Sequence, residues 1–282
     1  MRSLVLAGIA CLVLSGHSLA MEPGHASQMK ATGACPRCDL SGISLIQGFF
    51  PAADLRGVNL RESDLKAIDL SGADLSDSDL RRSNLEKSKL ADTKLTNARI
   101  AGADMEKAVL TRADLGRADL REVDLGKSDL REAVFDKADL RNALMKRADM
   151  RKARLVGTRI ESAKLERSDL SGANAVGADF TNSDLDRVRL LNADLRDADF
   201  TDSRLERANF SGADLRGATF DGAILRRTNF SDANLTGVRG LKQERLEAAC
   251  GNPGTKLPRG LHLRQCEQET ETPADISVGP DS

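Results

Sequence analysis

From Leu55 to Leu235, every fifth residue of the chain is in one register: of these 37 positions, 36 are Leu, Ile, Met or Phe, and only Ala175 departs. Two residues before each of them the chain is small, with Ala, Ser or Thr at 33 of the 37 positions and Val58, Ile68, Val123 and Val188 as the exceptions. The residue directly before the large one is Asp or Asn 24 times, and the two after it are mostly charged, Gly, Ser or Thr. The register never slips. An amphipathic helix repeats apolar residues at threes and fours and a half-buried strand repeats them at twos, so neither element accommodates a strict five. Each unit has two inward letters and three outward ones, and a unit that small buries its apolar side only by stacking on its neighbours. A small and a large inward residue per five suit a coil that turns a corner every five residues.

The motif Ala-(Asp/Asn)-Leu-x-x is spelled out at Ala73-Asp74-Leu75, Ala113-Asp114-Leu115 and Ala213-Asp214-Leu215. With these units the sequence resembles the pentapeptide-repeat family over about two thirds of its length. The resemblance implies an all-β fold: a right-handed quadrilateral β-helix with four pentapeptides per coil and the central and small residues inside. Leu40, Leu45 and Phe50 extend the register backwards, so the solenoid is expected over residues 35–239 as about ten coils. At about 4.8 Å between stacked strands the rod would be roughly 45 to 50 Å long. The chain has no Trp or Tyr and 3% aromatic residues, which leaves layers of Leu with a few Phe to form the core. Phe180, Phe200 and Phe220 lie twenty apart, as do Phe210 and Phe230, and are expected to stack coil upon coil. Ala175 is expected to leave a small void or a local contraction.

Residues 1–20 carry Arg2, an apolar run from Leu4 to Leu14 and the closing Ser18-Leu19-Ala20, the form of a secretory signal peptide. The apolar run is too short to span a bilayer. Cleavage after Ala20 would release a periplasmic or secreted product, whereas a start at Met21 would keep the protein in the cytoplasm. A lipoprotein reading through Cys11 is weaker, because Gly8 stands where a lipobox has Leu. Residues 21–34 read as a flexible segment. Four further cysteines, Cys35, Cys38, Cys250 and Cys266, flank the array, and by sequence alone they allow three connectivities. On a solenoid the two pairs stand at opposite ends, and a disulfide needs Cα atoms within about 7 Å. That geometry joins Cys35 to Cys38 and Cys250 to Cys266, and it excludes one four-cysteine zinc site. Cys35-Pro36-Arg37-Cys38 also has the spacing of thiol-disulfide oxidoreductases, but it precedes a β-coil rather than a helix and only Arg37 supplies charge, so a structural staple is the better reading.

After Leu235 the period stops. Leu241 to Cys250 reads as a short capping helix closed by Gly251 and Pro253, within a cap and disulfide loop over 240–266. Residues 267–282 hold five acidic and no basic residues and read as a disordered tail.

Catalytic chemistry finds little support. Beyond residue 20 the histidines are His25 and His262, both outside the array, and no phosphate-cradling glycine loop appears. The Asp runs are interleaved with Arg and Lys, which makes ion pairs a simpler reading than calcium sites. No cofactor is expected. Sorting the outward residues by twenty isolates one column, Lys87, Lys107, Lys127, Arg147, Arg167, Arg187, Arg207 and Arg227, an unbroken ladder of eight basic residues. Its neighbours Glu86, Glu106, Glu166, Asp186 and Glu206 suggest lateral ion pairs, while Gly126, Lys146 and Arg226 should leave the charge unopposed, most of all around Lys146, Arg147, Arg226 and Arg227. Three functions are weighed: a non-enzymatic exported scaffold or binding module for a protein or an anionic polymer, a cytosolic DNA mimic that binds topoisomerases as some members of the resembled family do, and a thiol oxidoreductase. The 41 basic and 43 acidic residues after residue 20 disfavour mimicry of DNA, so the first is the expectation and nucleic acid is not an expected partner.

Overall fold

The computed structural model describes residues 23–266. The expected signal peptide and acidic tail lie outside the described residues. Over the array the chain pairs with itself in parallel at a constant offset of twenty, from Ala34 with Asp54 to Thr219 with Arg239. Four turns and four bridges per twenty residues make a four-sided β-helix.

One unit accounts for all of its backbone donors. Asp74 N–H donates to Ala53 O (2.9 Å) in the coil before, while Leu75 N–H and Asp77 N–H donate to Lys94 O (2.7 Å) and Thr96 O (3.0 Å) in the coil after. Ser78 N–H closes the corner on Leu75 O at 3.2 Å. The fifth donor, Ser76 N–H, has no backbone acceptor and takes the Asp74 carboxylate at 3.1 Å. Unpaired backbone groups are costly, and this one is met by a side chain two residues earlier, which is the reason Asp or Asn precedes the large residue so often.

The corner itself is a β-turn whose third residue is left-handed. All 41 residues at this position from Arg37 to Gly237 have φ between +54° and +76°, and 30 of them are not glycine. Positive φ at that position alone defines the type II turn.

Both inward letters are buried from Ala53 to Leu235, Leu, Ile, Met and Phe at one and chiefly Ala, Ser, Thr and Val at the other, while Phe50 and Val238 nearer the ends are partly buried. Phe180, Phe200 and Phe220 stack with ring centroids 5.0 and 5.2 Å apart, and Phe210 stacks on Phe230 at 5.3 Å. The two stacks meet edge to face, as at Phe200 and Phe210 with an interplanar angle of 87°. Ala175 is fully buried.

The two ends differ from the sequence reading. In place of a flexible segment before Cys35 stands a helix, α1 (Pro23–Thr32). Pro23 opens it, where a missing N–H costs nothing, and Gly33 closes it at φ +65° with its N–H on Met29 O at 2.9 Å. Met29 is buried against the first coil, so the helix covers apolar surface that the terminal coil would otherwise expose. At the other end, α2 (Gln243–Leu246) is a single turn, not a helix reaching Cys250. The last coil still needs acceptors: Arg227 N–H reaches Ala248 O (2.6 Å) and Phe230 N–H reaches Cys250 O (2.8 Å), so this stretch takes the turn-and-bridge form of another coil side, with Ala249 N–H closing the corner on Leu246 O at 3.0 Å. Strand β1 (Cys250–Gly251) then pairs in parallel with β2 (Arg264–Gln265).

Truncating the central ring of the longer stack, Phe200→Ala, should cost about 3 to 5 kcal/mol, because a close-packed interior relaxes only partly around the deleted ring. Urea unfolding checks this; a change within error would show that the stacked rings do not contribute to cohesion between coils.

Candidate binding face

The eight ladder residues all occupy the left-handed corner position, with φ between +56° and +61°. A non-glycine residue there carries a steric cost of roughly 1 kcal/mol. The same holds at 30 of the 41 corners, so backbone strain alone does not distinguish the ladder; its uninterrupted sign does.

Ion pairing divides the ladder in two. Lys87 meets Glu86 at 2.9 Å, Lys107 meets Glu106 at 3.1 Å, Lys127 also meets Glu106 at 2.8 Å, and Arg187 meets Asp186 at 3.6 Å. Arg147, Arg167, Arg207 and Arg227 make no ion pair among the described residues. The pattern corrects the sequence reading. Lys127, next to Gly126, reaches the acid one coil earlier; Lys146 is opposed by Glu166 at 2.6 Å, and Arg226 by Glu206 at 2.5 Å. An outward acid thus has candidate partners one coil away as well as beside it, and Lys146 and Arg226 take the carboxylates that sequence neighbours Arg167 and Arg207 would otherwise use.

Sequence reading also missed how the acidic residues are held. In eight units the Asp before the large residue grips the Arg two places on through both Nε and Nη2, as in Asp119 with Arg121 at 2.7 and 2.8 Å and Asp129 with Arg131 at 2.8 and 2.6 Å. The signal was present as the repeated triplet Asp-Leu-Arg. The Arg121 guanidinium beside Asp119 holds that carboxyl below its ordinary range. On the ladder, hydrogen bonds from Lys66 and Lys87 bring Glu86 down to about 2, and Lys127 and Lys107 lower Glu106.

Shallow dents adjoin three of these arginines, Arg147, Arg207 and Arg227. One of 370 Å³ is walled by Lys127, Lys146 and Arg147, with Gly126 leaving space and the outward Leu144 lending an apolar surface. A second, of 150 Å³, lies between Glu206, Arg207, Arg226 and Arg227.

The cysteines are paired as expected from a solenoid. Cys35 joins Cys38 with Cα atoms 5.4 Å apart, and Cys250 joins Cys266 at 4.8 Å. Both sulfurs of the first pair are buried, and Cys35 follows the C-terminal end of α1, the negative end of its dipole, which does not stabilise a thiolate. The ring of His25 accepts a hydrogen bond from Asp39 N–H at 3.2 Å and is part of the N-terminal cap. Among the described residues no group of His, Cys, Asp or Glu could hold a metal ion, and no helix is long and apolar enough to cross a membrane.

The pentapeptide repeats family model matches in eight copies, over residues 38–77, 88–126, 128–167, 163–202 and 203–239. The chain belongs to the pentapeptide repeat family. Its members fold as right-handed β-helices and are generally non-enzymatic structural or binding proteins. Among solved structures this pentapeptide repeat protein is similar to HetL, involved in heterocyst differentiation regulation in the cyanobacterium Nostoc, at 27% identity over 83% of this chain and 99% of that one, with a TM-score of 0.33. It is similar to QnrB1, a plasmid-mediated fluoroquinolone resistance protein, at 15% identity over 78% of this chain and 92% of that one, with a TM-score of 0.50. A pentapeptide repeat protein of the Arabidopsis thaliana thylakoid lumen shares 30% identity over 38% of this chain and 68% of its own, with a TM-score of 0.24. No curated protein matches the sequence. The likeness to QnrB1 bears on the fold alone.

Carboxylates held below their ordinary range stabilise the fold above the unfolded pKa, near 4, and that contribution is lost as pH falls through the lower folded values. The melting temperature should therefore hold from pH 7 to about 5 and fall between about pH 4 and 2. Replacing Asp119, Asp129 and Asp149 together with Asn keeps an oxygen for the corner N–H, as Asn59 provides for Arg61 at 3.2 Å, and removes the charge. The acid limb should then be shallower; an unchanged slope would show that these pairs are not its origin.

Proposed function

We propose that this protein is a non-enzymatic, exported binding module whose basic edge engages a linear anionic polymer of the cell envelope. The observation that carries the reading is the ladder, eight cations in line on one corner with Arg147, Arg167, Arg207 and Arg227 free of acidic partners. On a rod of about ten coils, successive rungs lie about 4.8 Å apart, so the charges are held in a row at no cost of ordering backbone on binding. That arrangement suits an extended polyanion better than a compact ligand.

Export is supported by the signal-like residues 1–20 and by a disulfide at each end of the rod, since such bonds persist in oxidising compartments. Mimicry of DNA is disfavoured by the surface, where eight aspartates are engaged by their own arginines and acids do not dominate any corner the way cations dominate this one. An oxidoreductase through Cys35 and Cys38 is disfavoured by their burial.

The test is to change Arg147, Arg167, Arg207 and Arg227 together to Gln and compare retention on lipopolysaccharide and heparin columns at rising salt. Exposed charges are screened over about 8 Å at physiological salt, so the wild type should elute at clearly higher salt than the variant. Co-elution of the two would reject the polyanion reading. Separately, recovery of the protein in the cytosolic fraction alone would reject export.

A further inference from the structure

The corner one unit earlier in each coil carries a second basic column with a rung missing. Arg61, Arg81, Arg121 and Arg141 stand at spacing twenty, and the position between the middle two is Ala101, followed by Gly102. Residues at these two places point away from the rod, so the short pair leaves a notch of 230 Å³. Its walls are Arg81 and Arg82 on one side and Arg121 and Glu122 on the other, with Arg61 also lining it.

The arginines of this notch are held, and their donors are not used up. Arg81 spends Nε and Nη2 on Asp79 at 2.8 and 2.5 Å, and Arg121 spends the same atoms on Asp119 at 2.7 and 2.8 Å. Each guanidinium plane is thereby fixed at both of these atoms, and neither Nη1 has an acceptor among the described residues. Arg82 is 72% exposed and among the described residues meets only Glu62, at 3.7 Å. The Nε of Arg61 is buried without an acceptor. Four arginines thus line the space: Arg61 and Arg82 share Glu62 at 3.4 and 3.7 Å, Arg81 and Arg121 are held by Asp79 and Asp119, and the one acid on the wall, Glu122, makes no ion pair among the described residues.

Geometry selects the ligand. The rungs on either side of the gap are two coil heights apart, about 9.6 Å. A small oxyanion seated between them would take one charge-assisted N–H to oxygen bond of about 2.8 Å from each side. With Nε and Nη2 held by the aspartates, each guanidinium keeps its Nη1 N–H groups in a fixed plane, which a lysine ammonium cannot do. We propose that the Ala101–Gly102 notch binds a phosphate or sulfate group, bridged between Arg81 and Arg121, with Arg82 closing on it from the solvent side. This site lies on another corner from the eight-residue ladder and does not depend on it.

Titration calorimetry of the full chain with inorganic phosphate, sulfate and glucose 6-phosphate at constant ionic strength tests the proposal. The decisive variant is Ala101→Arg. It adds a cation yet fills the notch; because Arg99 stands where Asp79 and Asp119 hold the neighbouring rungs, a thermal melt verifies folding. Dissociation constants should rise at least tenfold in Ala101→Arg and in Arg81→Gln/Arg121→Gln, and stay unchanged when Arg147, Arg167, Arg207 and Arg227 become Gln. Tighter binding of glucose 6-phosphate than of phosphate would identify a group carried on a larger molecule, and equal binding would identify the free ion; both support the site. No binding of any of the three, or binding by Ala101→Arg as tight as or tighter than by the wild type, would overturn it.

Discussion

The hydrogen-bond ladder between coils is the constraint from which the rest of this protein follows. Because three of the five backbone N–H groups in a unit bond to the neighbouring coils and a fourth closes the corner, the chain can advance only by a fixed twenty residues per turn. One inserted residue would move every later inward position off the core, since the register has no slack in which to absorb it. The fifth N–H falls to a carboxylate or amide two residues earlier, so the Asp or Asn of each unit is part of the backbone's own pairing before it is a surface charge.

That double use shapes the electrostatics. An Asp already accepting from the corner N–H is fixed in place, and where an Arg follows two positions later it completes a two-bond fork with no further ordering of the carboxylate. The acidic charge of eight units is therefore neutralised locally and by construction. What remains for recognition is the set of corner side chains, which no backbone requirement restricts apart from their left-handed φ. A run of eight cations in that position is a choice the fold does not impose, as the other corners show by mixing Gly, Asn, Asp, Glu, Ala and Ser with Arg and Lys in the same place.

The architecture was legible from the period of five because each inward position is settled by a local rule repeated dozens of times, and the phenylalanine stacks followed from a spacing of twenty. The ends were less legible for a physical reason. α1 has no apolar periodicity, and of its apolar side chains only Met29 is fully buried, with Ala26 packed beside the core, so nothing in PGHASQMKAT marks it as a helix other than Pro23 and Gly33. The stretch before Cys250 carries helix-like letters, but the last coil's unpaired donors take its carbonyls and hold it as a turn followed by a bridge. Pairing on the ladder was misread at Lys146 and Arg226 because sequence shows the acid beside a cation more readily than the one a coil away. Glu166 and Glu206 choose the latter.

A solenoid whose interior is filled by two side chains per unit has no room for an enclosed site, so any recognition must use its surface in one of two ways. Repetition gives extended rows of like groups at a fixed rise, suited to polymers, and each group in such a row is weak alone because exposed charges are well solvated. Interruption gives local relief: where one rung is deleted, the neighbours that the repeat has fixed in orientation face each other across a gap of known height. Gly126 interrupts the acidic column beside the ladder, and Ala101 with Gly102 interrupts the arginine column on the corner before it. The regularity of the coil is what makes such a defect specific, since the spacing across it is set by the backbone and not by the side chains that line it.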